Sequence, residues 1–452
     1  MFSQTLTIAR NTFLESVRQP IYFILTAICG VAILLTTMTA AYSMDYSSTA
    51  EVSADDKVLF DIGLATVFVC GMLLAAFLAT AVISREIDRK TVLTVVSKPV
   101  ARPTVVLGKY LGVCGAIVIA VLTMLLFLQM GIRHKVMSTS ADDLDMPVVA
   151  FTFGAVLLAV GTGVWCNYFY GWSFTQTATV LLFPLMLAAW IGVLLISKSW
   201  KVQPIGTDFK PEIAKASLCV VLAVMVLTGV ATAASARLGQ VMTLVICCGV
   251  FVLGLGSNYL LGSRAIDNQF IARVLTATPD SPSMAGLNKP GDSYTLGLEL
   301  EPRIGFPTGS PVYYGPNPSG SGLVVRPYPA FTGDLATPSS VEGSGPPAFA
   351  IGSHSARTLK IVRTGPAADA APASRPPEKG DYLFLRPTRY HPLAYAGWAL
   401  VPNIQHFWMV DPVSQNQPIP WAHVGLVALY AACLIGALLS LAVMIFQTRE
   451  VG

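Results

Sequence analysis

Charge is what this sequence lacks most. Of its 452 residues only 12% are Asp, Glu, Lys or Arg, whereas 54% are hydrophobic and the mean hydropathy is +0.62. A soluble domain carries roughly a quarter charged residues, so the composition excludes an ordinary water-soluble protein and points to one that lives in a bilayer. The net charge of +4 is small, and the clustered basic face that nucleic acid requires is missing. No nucleic-acid partner is expected. All eight cysteines (Cys29, Cys70, Cys114, Cys166, Cys219, Cys247, Cys248 and Cys433) fall inside apolar runs. None lies in the polar stretch 262–423, which excludes a disulfide framework there. They read as small buried hydrophobes.

Motifs that carry chemistry are equally scarce. There is no GxxxxGK[ST] loop, so the chain cannot cradle nucleotide phosphates in that way. CxxC pairs, HExxH helices and GxSxG elbows are absent too. His134, His354, His391, His406 and His423 are scattered, and Asp142, Asp143 and Asp145 read as a solvated acidic loop rather than a cation site. No catalytic residue, metal ligand or cofactor is assigned, and a membrane-embedded enzyme is the least favoured reading. Apart from Asp61, no charged residue sits inside a predicted span. Ion-coupled transporters rely on such residues for their proton or sodium relays. Energy for any transport must therefore enter from outside the spans.

What the chain has in abundance is long apolar runs. Ile21–Ala41, Val58–Ile83, Tyr110–Ile132, Val148–Tyr170, Thr177–Ser197, Ala216–Ala234, Gln240–Leu261 and His423–Phe446 each approach the roughly 20 residues a bilayer demands. Ahead of them, Phe2, Leu6, Ala9, Phe13 and Val17 recur at helical spacing, an amphipathic helix suited to the headgroup region. The expected fold is an all-α polytopic membrane protein of about eight transmembrane helices, with an inserted extracytoplasmic segment rich in β-structure and loops. Its parts are an interfacial helix (1–19), a transmembrane domain (20–261), a Gly/Pro-rich insert (262–422), and a last span with its tail (423–452).

Within the insert, Tyr294, Leu296, Leu298 and Leu300 alternate with Thr295, Gly297 and Glu299, a strand pattern. Leu323–Arg326, Thr358–Arg363 and Tyr382–Arg386 offer further short strands, and Gly365–Gly380 reads as flexible linker. The expectation is a small, loosely packed β-rich domain. Trp398–Val410 is expected to form an interfacial helix before the last span. Trp165, Tyr168, Phe169, Tyr170 and Trp172 crowd the turn at 171–176, as an interfacial aromatic belt does.

The most informative connector is Ile83–Lys109. It carries Arg85, Arg89, Lys90, Lys98, Arg102 and Lys109 against Glu86 and Asp88. Basic residues concentrated in a short loop beside spans mark the cytoplasmic side. Counting spans then puts both termini on that side. The charge rule supports this count weakly, because Lys198–Lys215, with four lysines, falls on the opposite side. Arg85–Lys90 is a charged patch, Thr91–Val96 an apolar one, and Pro99 and Pro103 fix a turn before the next span.

These features together resemble a type-2 ABC transporter permease, the membrane subunit of an ABC exporter, of the copper-processing and gliding-motility group. The resemblance rests on Ala9–Glu15 with Arg18-Gln19-Pro20, on Glu86–Thr91 with Ser97–Arg102 and Leu107-Gly108-Lys109, on Ser235–Gly239, and on the ending Phe446–Glu450. It covers about 60% of the chain by motif placement, and Lys90 stands where many members have Gly. A typical member has about six spans, so the 148–197 hairpin and the insert would be additions. The resemblance implies that 84–109 is a coupling loop docking on a separate ABC ATPase subunit through Glu86, Asp88, Arg89, Lys90, Thr91, Lys98 and Arg102. It also implies pairing of two permeases, as homodimer or heterodimer, in a plasma (inner) membrane with cytoplasmic termini. The competing readings are a non-transporting scaffold with a partner-binding outer segment and an ion-coupled secondary transporter.

Overall fold

A computed structural model describes residues 2–39, 54–84, 101–135, 144–287, 289–302, 307–318, 320, 323, 327, 329–335, 348–364, 376–410, 413 and 419–448. The chain forms two compact units, one made of residues 1–255 with 402–452 and the other of 256–401.

The first unit is helical. It contains α1 (Phe2–Val17), α2 (Pro20–Thr39), α3 (Ala54–Ala79), α4 (Arg102–His134), α5 (Met146–Tyr170), α6 (Phe174–Leu195), α7 (Pro211–Ser235) and most of α8 (Gln240–Ser257). The last span, α10 (Trp421–Thr448), returns to it. Among the described residues, eight of these helices, all but α1, are long and apolar enough to cross a membrane. Prolines at the first turns of α2, α4, α5 and α7 start helices where their missing N–H has no intrahelical partner anyway. Asp145 caps α5 by accepting from Val148 N, and Gly171, at φ 68°, ends it in the left-handed conformation that glycine adopts without strain.

α4 is the hub, packing against α1, α2, α3, α6, α7 and α10. Its 33 residues reach about 50 Å, well beyond a hydrocarbon core of about 30 Å. α4 is therefore longer than the apolar layer is thick. Lipid tails are as apolar as leucine, so helices gather through close packing and hydrogen bonds rather than hydrophobic exclusion. Both devices are present. A Cβ at Gly112 would stand 2.5 Å from Ala9 O, and one at Gly108 2.8 Å from Ile8. These two glycines, four apart on one face of α4, let α1 lie directly on its backbone. The Tyr22 hydroxyl donates to Ala116 O (2.8 Å) and that of Tyr110 to Met225 O (3.2 Å), tying α2 to α4 and α4 to α7.

The third span is longer than the sequence reading had it, and this changes Lys109. Expected in the loop, it sits two turns inside α4 and is buried. Asp145 differs as well. Expected as one of three solvated acids, it is buried and paired with Arg133, whose Nε also stands 2.9 Å from Asp208 Oδ2. Asp142 and Asp143 lie outside the described residues.

The second unit contains a six-stranded antiparallel sheet, order β4-β7-β2-β3-β6-β5, and a two-stranded ribbon, β1 with β8. The strands are β1 (Ile266–Asp267), β2 (Ala272–Pro279), β3 (Ser293–Leu298), β4 (Tyr313–Gly315), β5 (Ala348–Ser355), β6 (Thr358–Thr364), β7 (Tyr382–Phe384) and β8 (Arg389–Tyr390). The alternation seen at 294–298 becomes β3, with Tyr294, Leu296 and Leu298 on the buried face. Leu296, Ile351, Leu359 and Ile361 are fully enclosed, so this sheet has a closed core rather than loose packing. Of Leu323–Arg326 only Leu323 is described, and it is not in a strand.

Trp398–Val410 also departs from expectation. A short helix, α9, spans Pro392–Leu400 instead. The 3-10 turn Ile404–Phe407 that follows belongs to the helical unit. There Ile404, Phe407 and Val410 are buried in its apolar core, and Asn403 N donates to the Tyr430 hydroxyl on α10. Periodicity could not reveal this, because aromatic residues at an interface and in a core look alike.

Candidate functional site: the α3–α4 junction

The two ends of the 84–109 connector are held tightly. α3 closes in a π-helical turn, Thr80–Ser84, where the Thr80 hydroxyl donates to Ala76 O and Phe77 O. Such turns loosen the usual hydrogen-bond ladder and often mark functional places. The Lys109 Nζ lies 3.5 Å from Val82 O in this turn. A cation placed on the last carbonyls of a helix is favoured by their partial negative charge, which gives buried Lys109 a structural purpose.

The start of α4 is fastened from other directions too. Arg102 Nη1 donates to Gln447 O (2.9 Å), linking α4 to the end of α10. Val106 packs with Ala233 of α7 and Ala442 and Phe446 of α10 in a small apolar cluster. α1 lies along Gly108 and Gly112. Arg18, just past α1, donates from Nε to Gln176 Oε1 at the start of α6 (3.0 Å). Six chain segments thus converge at one end of the helical unit: the α1–α2 joint, the α3 exit, the α4 entry, the α6 start, the α7 end and the α10 end.

At the α5–α6 turn of the same unit, Thr162, Cys166, Trp172, Ser173, Gln176, Thr177, Val180 and Leu181 line a cavity of about 570 Å³. Near this turn in the chain, the rings of Trp165, Tyr168, Phe169, Tyr170 and Trp172 are exposed, as those of an interfacial belt are.

A family model described as ABC-2 family transporter protein matches residues 6–269, more than half of the chain. The chain belongs to the ABC-2 transporter family. The match takes in the 84–109 loop, both its flanking spans and the α5–α6 hairpin. No curated protein and no solved structure matches the chain. As an ABC-2 membrane component, it is a multi-pass permease component of an ABC transporter, which implies an ABC ATPase partner.

Of the seven docking residues expected from the sequence, the structure describes Arg102; Glu86, Asp88, Arg89, Lys90, Thr91 and Lys98 lie outside the described residues. Three contributors were missed by reading residue types alone. Gly108 and Gly112 carried a usable signal, small residues four apart at the head of an apolar run. Lys109 carried none, since a lysine at a predicted span boundary reads as solvated. Among the described residues no group of three or more His, Cys, Asp or Glu comes together.

Proposed function

We propose that the ABC-2 chain is the permease subunit of an exporter that moves substrate with energy from ATP hydrolysed by a separate subunit. Glu86, Asp88, Arg89, Lys90 and Thr91, with Lys98 and Arg102, form the docking surface for that ATPase. Charged contacts across an interface set register and encounter more than affinity. The single observation that carries the reading is the family match across both spans and the basic loop between them.

The junction geometry supports a mechanical role. Force applied to the loop reaches α4 at Arg102 and α3 at its π turn, and α4 touches α1, α2, α3, α6, α7 and α10. A push on one loop is thereby distributed to most of the bundle. Two permeases, alike or different, would pair so that nucleotide-driven closure alters access between them. The termini and the loop face the cytoplasm of a plasma (inner) membrane, and the β-containing part, 262–422, lies on the opposite side.

The test is charge reversal in the full-length protein, E86K with R89E, purified from its native membrane. Wild type should retain a chain bearing a phosphate-binding loop and raise its ATPase rate, and the double variant should lose both. Undiminished recovery and stimulation would overturn the docking assignment.

A further inference from the structure

The second unit presents an apolar helix face that water does not suit. In α9, Leu393 and Leu400 stand seven residues apart, hence on one side of the helix, and are 90% and 80% exposed. Pro392–Leu400 contains no charged residue. The other side of α9 faces its own unit, where Trp398 lies 3.4 Å from the position of a Cβ at Gly262. Tyr390, Tyr395 and Trp398 form a chain of ring contacts, with centroids 5.5 and 5.9 Å apart. His391 N donates to Ala265 O (3.1 Å).

The position of these contacts decides what covers the leucines. Gly262 and Ala265 are the last residues of the apolar span Gln240–Ala265. A helix packed on the final turn of a membrane span lies at the level where hydrocarbon gives way to headgroups. The neighbouring residues match that level. Tyr259 and Leu260 on the same turn are exposed, 82% and 45%, continuing the apolar surface of the span toward α9. Arg264, Arg386 and Arg389, close by in the chain, are exposed. Their long stems can lie along apolar surface while the guanidinium groups reach headgroups. Tyr and Trp rings with basic residues are the usual composition of such a boundary.

We infer that α9 seats the β-containing unit on the bilayer surface, with Leu393 and Leu400 inserted among the lipids and Trp398 anchoring the helix to the end of the span. The seat is independent of how the ATPase couples. It gives this unit a membrane attachment of its own besides the two covalent links at its ends, through α8 and through the segment that leads to α10.

Spin labels at Leu393→Cys and Leu400→Cys test this in the full-length protein, with Cys248 and Cys433 replaced by serine, reconstituted in phosphatidylcholine vesicles. A third label at Ala356→Cys, in the exposed β5–β6 turn, serves as the aqueous reference. Membrane seating predicts that oxygen relaxes the labels at 393 and 400 more than a water-soluble nickel chelate does, with the order reversed at 356. Labels at 393 and 400 that respond like the one at 356 overturn the proposal. So do labels shielded from both reagents, because that result means a protein surface, such as a second copy, covers the face.

Discussion

Helices α7 and α10 are almost equally apolar, yet 83% of the most apolar window of one is buried and only 17% of the other's. In water that contrast would be written in the composition. In a bilayer both surroundings are hydrocarbon-like, so hydropathy reports that a helix spans but not which neighbours it has. What distinguishes α7 is the set of features directed at other helices. Small residues such as Ala216, Ala223, Ala231 and Ala233 are buried along it, Tyr110 donates to its backbone, and Glu212 and Lys215 fasten its start. Glu212 accepts from Ile419 N and Lys215 donates to Ile419 O, so the head of α10 is attached to α7 even though most of α10 faces outward.

The largest expected effect lies where polar groups hold helices together out of water. Replacing Arg133 with Leu leaves Asp145 buried, 2% exposed, without its cation. Removing one partner of a buried pair costs about 3–5 kcal/mol. R133L should therefore lower the thermal midpoint of the purified protein most of all, and R133L with D145N should recover much of the loss. An unchanged midpoint in R133L would mean that this pair does not organise the α4–α5 end.

Next comes the close approach of α1 to α4. Leucine at Gly112 has a backbone oxygen in its way, which a side-chain rotation cannot relieve. G112L should cost about 1–3 kcal/mol or more, and protease should cut near α1 faster than in wild type. Equal cleavage rates would show that α1 is not seated on the glycines.

The β-containing unit follows the rules of water, and a moderate effect is expected there. Burial raises the Asp280 carboxyl, but hydrogen bonds from Lys360, Ser293 and Thr295, with the Lys360 charge, outweigh it and hold the group below its ordinary value. A depressed folded pKa means stabilisation that is present above the unfolded value and lost as pH falls through the folded one. Lys360 is 41% exposed, so solvent screens the pair. D280N should cost about 1 kcal/mol near neutral pH. The difference from wild type should vanish in acid, as read from amide exchange in β3 and β6. A difference that persisted in acid would point to lost packing rather than lost charge.

The smallest effect belongs to α10. A Cβ at Gly436 meets no atom within 4 Å, so G436L should stay within about 0.5 kcal/mol of wild type. A large loss from G436L would break the contrast between the two helices by revealing a protein neighbour on that face, for which a paired permease is the natural candidate.

How far the sequence alone could be read follows the same division. The eight spans were legible because each is an uninterrupted apolar run with polar or turn residues at its ends. β3 was legible because period-two alternation survives where one face of a strand is less buried than the other. The burial of Lys109 was not legible, since its carbonyl partner Val82 is contributed by a different span. Asp145 looked like its neighbours Asp142 and Asp143, because the cation it meets lies across a helix–helix contact. The 402–410 segment was misread because the core that buries Phe407 and Val410 is assembled from distant parts of the chain.

The order of residues by itself determined that this is a multi-pass membrane protein with eight runs long and apolar enough to cross a bilayer, that a β-containing unit interrupts them, and that a basic loop separates the second from the third. Those facts depend on local runs and local periodicities, which each segment carries independently. Only tertiary structure decided which helices form the centre, where the loop's two ends are anchored, and which charges are buried. In a uniformly apolar medium those outcomes depend on surface fit and on hydrogen bonds between segments far apart in the chain, and no single segment encodes its partner.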